Sequence, residues 1–273
     1  MRFLIRLAVI LGLMFGATLV LGNVAERWLI YPFDGTYVTP NEAGLLNVTE
    51  HKLSISDNTL VVWTAPPRGG KPVVFYLHGN AGNLAVRSGR FQRFLDRGYG
   101  LIALAYPGSS GSSGTPSEES LSRAARHVWD ERAALLPDLN FGTVIYGESL
   151  GTAVALHLAA ALKTAPTAII LEAPFTSIPA MAEHHYTGTG ALAKNLQNQW
   201  NSLSAATDIH VPLFIMHGTN DTLIPIEMGR QIHAAAPSNS KQFLAVKGAG
   251  HTDLWRSDTL PKLFAFIDQF ALR

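Results

Sequence analysis

The sequence predicts an α/β fold: a mostly parallel, eight-stranded sheet with helices on both faces. From residue 50 onward, short apolar runs alternate with longer helical stretches, which is the rhythm of βαβ units. Several of the runs are apolar without interruption, among them Val73-Val74-Phe75-Tyr76-Leu77 and Ala168-Ile169-Ile170-Leu171, as strands buried on both faces require. A chain of 273 residues is long enough to bury one large sheet of this kind.

Strands are expected at Lys52–Ser56, Thr59–Thr64, Val73–Leu77, Leu101–Ala105, Thr143–Tyr146, Ala168–Leu171, Leu213–Met216 and Gln242–Val246. The first two flank Asp57-Asn58, a turn pair, and should form an antiparallel hairpin at one edge. Helices are expected at Glu118–Leu136, Leu150–Lys163, Ile226–Ala235 and Pro261–Leu272. Ser117 offers an N-cap with acidic residues behind it, and Pro137 ends that helix. Pro225 suits the N1 position of the third. Leu263, Phe264, Ile267 and Phe270 make one apolar stripe on the last. Residues 178–208 break the alternation with a polar, Gly/Thr/Asn-rich segment, which reads as a small inserted cap. The domain itself is expected over 50–273, with a turn-rich connector at 29–49.

The first 28 residues differ in kind. Arg2 and Arg6 precede an uncharged apolar run from Leu7 to Val24, and no pair of small residues marks a cleavage site. The segment reads as an uncleaved membrane anchor rather than a removed signal. Its arginines place the N-terminus in the cytoplasm and the domain on the other, non-cytoplasmic side. The formal net charge is +1, so no strong field draws the chain to nucleic acid. With no cysteine, disulfides, thiol nucleophiles and cysteine metal sites are excluded.

The chemistry is concentrated in Gly147-Glu148-Ser149-Leu150-Gly151. This G-x-S-x-G stretch follows a predicted strand and opens a predicted helix, the setting of a nucleophile elbow. The glycines remove side chains that would collide across a sharp strand-to-helix turn. The helix that follows aims its N–H groups and positive dipole end at Ser149. Asp221 follows the strand ending at Met216, and His251 follows the strand ending at Val246. Parallel strands end on one edge of a sheet, so the three loops should converge there. Asp253, Asp208 and Glu227 are weaker rivals for the acid. His78-Gly79-Asn80-Ala81-Gly82-Asn83 follows a further strand. Its Asn80 N–H, or failing that Ala81, can pair with the N–H of Leu150 as an oxyanion hole. His78 reads as a hydrogen-bonded anchor of that loop. Neither a GxxxxGK[ST] nor a GxGxxG phosphate loop is present.

Over residues 50–270 the chain resembles the α/β-hydrolase superfamily, and within it the membrane-anchored Bem-like and depalmitoylase-related serine hydrolases. The resemblance rests on His78–Asn83, on Tyr106-Pro107-Gly108 with Gly114-Thr115-Pro116-Ser117-Glu118, and on Gly147–Gly151. It also rests on Leu171–Ser177, His217-Gly218 with Asp221, and Gly250-His251. Ala105 stands where the family usually has aspartate, and Ala173 where it commonly has asparagine. The resemblance implies hydrolysis of a small-molecule ester or thioester without metal or organic cofactor, with Ser149 as nucleophile, His251 as base and Asp221 as orienting acid. A lipophilic acyl substrate is expected. A peptidase on the same fold, or a binding protein that keeps the fold without catalysis, are the alternatives.

Overall fold

The computed structural model describes residues 22–136, 139–140 and 142–270. Eight strands form one sheet: β1 (Thr49–Ile55), β2 (Asn58–Ala65), β3 (Val73–Leu77), β4 (Gly100–Leu104), β5 (Thr143–Glu148), β6 (Ala168–Glu172), β7 (Leu213–Gly218) and β8 (Lys241–Val246). Their spatial order is β1-β2-β4-β3-β5-β6-β7-β8. The β1–β2 and β2–β4 ladders are antiparallel; the other five are parallel. The expected hairpin therefore sits at one edge. Its turn lies one residue earlier than predicted, because Ile55 pairs with Asn58 and Ser56 takes the left-handed conformation at φ 50°.

The period-two alternation of strands sorts the core into two layers. Val73, Phe75 and Leu77 of β3 face the same side as Ile145, Ile169 and Ile215. That layer is closed by helices α2 (Glu118–Asp130), α3 (Leu150–Ala161) and α6 (Ile226–Ala235). Val74, Tyr76, Tyr146, Ile170 and Phe214 face the other side, covered by α1 (Ser88–Asp96) and α7 (Leu260–Phe270). Helices on both faces leave the loop-bearing edges of the sheet open for a site.

Several helix ends depart from expectation for local reasons. Helix α2 keeps Ser117 as its N-cap, in a capping box with Ser120, but stops at Asp130. Arg132 folds back to donate to the Trp129 carbonyl at 2.6 Å and lies over the Trp129 ring, which closes the last turn. A separate short turn of helix, Arg132–Leu135, follows. Helix α3 ends at Ala161, whose carbonyl accepts from Arg126 Nη1 at 3.0 Å. Pro225 is the N-cap of α6 rather than N1, with extended ψ 137°. Helix α1 has no counterpart among the predicted helices.

The cap segment carries α4 (Ile178–His185) and α5 (Ser202–Ala206), with a four-residue piece of helix, Gly190–Ala193, between them. It is tied to the chain before the domain by a buried polar chain. Glu26 accepts from the Asn198 N–H at 2.7 Å and from the Gln197 N–H at 3.2 Å. Tyr31 donates to Asn198 Oδ1 at 2.7 Å, and Trp200 Nε1 donates to Tyr31 at 2.8 Å. Among the described residues no helix is long and apolar enough to cross a membrane. Most of the expected anchor, residues 1–21, lies outside the described residues.

Candidate active site

The site begins where β5 gives way to α3. Ser149, between them, has φ 51° and ψ −115°, a region that costs roughly 1–3 kcal/mol for a residue with a side chain. The turn is held from both sides: the Ser149 N–H donates to the Glu172 carbonyl at 2.8 Å, and the Ser149 carbonyl accepts from Thr152 N–H at 2.9 Å and Thr152 Oγ1 at 2.6 Å. The two glycines of the elbow are required for different reasons. A Cβ at Gly147 would meet the Gly151 carbonyl at 2.5 Å, across the turn as expected. A Cβ at Gly151 would instead meet the Leu77 carbonyl at 2.0 Å, so that glycine admits the end of β3 against the helix.

Because β5 through β8 are parallel, Ser149, Asp221 and His251 emerge at one edge. The structure brings the three together: His251 Nε2 lies 3.0 Å from Ser149 Oγ, and His251 Nδ1 lies 2.8 Å from Asp221 Oδ2. Gly218 brings the Asp221 and His251 loops into contact, since a Cβ there would lie 2.3 Å from the Ala249 carbonyl. The Asn220 N–H donates to that same carbonyl at 2.8 Å. The Asp221 side chain is wholly buried. Burial raises its pKa, but hydrogen bonds from His217, His251 and the Ile224 N–H outweigh this and hold the carboxyl well below its usual range. It is therefore an anion at any physiological pH. The rival Asp253 is used otherwise: it accepts from the Gly250 N–H at 2.6 Å and pairs with Arg256.

The expected oxyanion residues flank the elbow. Leu77 pairs with Gly147, which sets the loop 78–83 beside Ser149. Leu150 opens α3, where no preceding turn accepts its N–H. Asn80 is anchored through its side chain, Nδ2 donating to the Ile30 carbonyl at 3.2 Å. His78 is fully buried, and its Nδ1–H donates to the Gly79 carbonyl at 2.7 Å.

Burial, helped by the nearby Arg87 charge, pushes the His78 imidazole down to about 3 from 6.5. Between those values the unfolded chain binds a proton that the folded chain refuses, so stability rises with pH there. His78 therefore contributes stability that is fully present above pH 6.5 and drains away as pH falls toward 3. The slope for one such group is about 1.4 kcal/mol per pH unit. Urea unfolding of the parent and of His78→Asn between pH 6 and 4 should show a shallower decline in the variant. Parallel declines would contradict the buried neutral assignment.

Sequence reasoning missed the polar cluster behind the elbow. Arg90 donates to Glu172 Oε2 at 2.7 Å and stacks 5.0 Å over Trp255, whose Nε1 donates to the same carboxylate at 3.0 Å. Tyr146 also donates to Glu172. Glu172 and Glu148 each lie next to a site segment in sequence, but nothing local marks Arg90 as their partner. A cleft lined by Arg90, Glu148, Glu172, Ala173, His251 and Thr252 opens on Ser149. A wider cleft, between Ile55–Asn58 and Gly114–Ala124, includes none of the three predicted site residues. Ala173 holds φ 51°. Asparagine tolerates that conformation better than alanine, so the departure noted in the sequence costs backbone strain.

A family model for the α/β hydrolase fold matches residues 72–186, which span the 78–83 loop and Ser149. An esterase of Pyrococcus furiosus superposes with a TM-score of 0.72 at 16% identity, over 88% of this chain and 96% of that one. The chain belongs to the α/β-hydrolase superfamily. Relatives of this α/β hydrolase include an uncharacterised protein of Mycobacterium tuberculosis, 31% identical over 68% of this chain and 64% of the relative. The lysophosphatidylserine lipase ABHD12 of Rattus norvegicus is 32% identical over 70% of this chain. The chain spans 64% of the first and 54% of the second.

Proposed function

We propose that this α/β hydrolase is a serine hydrolase that cleaves carboxylic ester or thioester bonds through an acyl-enzyme intermediate. The observation that carries the reading is the unbroken chain from Ser149 Oγ to His251 (3.0 Å) to Asp221 (2.8 Å), beside a small polar cleft. With Asp221 anionic, His251 carries its proton on Nδ1 and presents the Nε2 lone pair to Ser149. His251 takes the hydroxyl proton as Ser149 Oγ attacks the substrate carbonyl. The resulting oxyanion is received by the N–H of Leu150 and of Asn80, with Ala81 as the alternative second donor. The protonated imidazole then gives its proton to the leaving oxygen or sulfur. Water, activated by the same imidazole, releases the acyl group.

A lipophilic acyl group is supported by the exposed cap residues Tyr186 and Leu192 and by the lipase among the relatives. Anchoring through residues 1–28 would set the cleft near such substrates. The test is reaction with a fluorophosphonate probe, followed by peptide mapping and turnover of acyl esters and thioesters of graded length, lysophospholipids included. Stoichiometric modification of Ser149 and hydrolysis of esters well above aminoacyl anilides are expected. An unlabelled protein, or a label on another serine, would refute the proposal; faster cleavage of the anilides would favour a peptidase.

A further inference from the structure

Arg87 ends a short 3₁₀ turn before α1, and its side chain is only 6% exposed. Its guanidinium makes four hydrogen bonds, shared between two segments of the site. Nε donates to Glu148 Oε2 at 2.8 Å and Nη2 to Glu148 Oε1 at 3.0 Å, a bidentate grip on the residue preceding Ser149. Nη2 also donates to the Ala81 carbonyl at 2.9 Å, and Nη1 to the Asn83 carbonyl at 2.9 Å. Both carbonyls belong to the loop that offers the second oxyanion donor. The glycines of the loop lie against this ion pair. A Cβ at Gly79 would lie 3.2 Å from Glu148 Oε1 and 3.4 Å from Arg87 Nη2, and one at Gly82 would lie 3.5 Å from Nη1. Tyr76 donates to Glu148 Oε2 at 2.7 Å, a further restraint on the carboxylate. The ladder between β3 and β5 ends at Leu77 and Gly147, so the regular sheet does not itself extend to join the 78–83 loop to the elbow.

We propose that Arg87 is a positioning residue for the reaction, clamping the oxyanion loop to the nucleophile elbow so that hydroxyl and N–H donors keep a fixed separation. This rests on the serine hydrolase reading above. Donors stabilise an oxyanion only when held where the charge develops, and misplacement by about 1 Å costs on the order of 10² in rate. Only a planar, five-donor group can serve both carboxylate oxygens and two carbonyls at once. Lysine retains the charge and loses the geometry.

The test is Arg87→Lys, with active sites counted by fluorophosphonate labelling and turnover of a p-nitrophenyl ester expressed per labelled site. We expect kcat per site to fall roughly 10–100-fold with KM nearly unchanged. The inhibition constant of an aryl boronic acid, which puts a B–O⁻ group in the same hole, should rise in parallel. If Arg87 only supports the fold, labelled sites and melting temperature fall while kcat per site and boronate affinity hold, and the proposal is overturned. Should Arg87→Lys not fold, Glu148→Gln keeps side-chain shape but weakens the grip, and the same loss in kcat per site and in boronate affinity is expected, an unchanged value again overturning it. A parent protein that fails to label at Ser149 overturns this inference and the hydrolase reading together, whereas a labelled parent with an unaffected variant overturns this inference alone.

Discussion

Under the proposed mechanism, Ser149→Ala is expected to lower turnover by on the order of 10⁶, because three groups acting as one unit lose the nucleophile that the other two would activate. The residual rate then comes from substrate binding and the oxyanion donors. The variant should remain folded. The turn at residue 149 is held by its backbone, N–H to the Glu172 carbonyl and carbonyl to Thr152, and alanine meets the same strain at φ 51° as serine. Removing Oγ takes away its hydrogen bond with His251 and leaves those backbone bonds in place. Thermal melting within a few degrees of the parent, complete loss of fluorophosphonate labelling and near-abolished ester hydrolysis form one expected pattern. A variant that keeps more than a tenth of its activity would show that another group attacks the substrate.

Much of the frame was legible in the sequence because it is set by local pattern. Each predicted strand lies within a few residues of an observed one, since uninterrupted apolar runs such as 73–77 and 168–171 can be buried only between two helical layers. The elbow was readable because two glycines at fixed spacing have a steric cause that the structure shows directly. Helix α1 was not readable. Its buried residues are Phe91, Phe94 and Leu95, set among Arg87, Arg90, Arg93 and Arg97, so the apolar stripe is thin and the stretch reads as polar.

The residues that hold the site in place were hidden for another reason. Arg87 meets Glu148 across 61 positions, Arg90 meets Glu172 across 82, and Glu26 meets Asn198 across 172. Periodicity and spacing act over a turn or a strand. They carry no information about which buried charge will find which partner once the sheet assembles. A buried ion pair is nonetheless forced once one member is placed, because an unpaired charge there is strongly destabilising. Glu148, at the variable position of the elbow, was the clue: a carboxylate beside the proposed nucleophile and against a packed sheet demands a cation nearby.

Asp221→Asn should reduce kcat by about 10⁴, through the tautomer of His251 rather than through any loss of structure. The surrounding backbone decides how the new amide would lie. Oδ1 of Asp221 accepts from the N–H groups of Leu223 at 2.9 Å and Ile224 at 2.8 Å. An asparagine keeps both bonds only by placing its carbonyl oxygen there, which turns its NH₂ toward His251 Nδ1. A donor facing Nδ1 forces that nitrogen to accept, and the ring proton moves to Nε2. Nε2–H then faces Ser149 Oγ and cannot take its proton. Nitrogen-15 spectra should place the imidazole proton on Nδ1 in the parent and on Nε2 in the variant, with near-equal melting temperatures. A variant within tenfold of parental kcat, or one whose imidazole keeps the parental tautomer, would mean that Asp221 does not orient this histidine for catalysis.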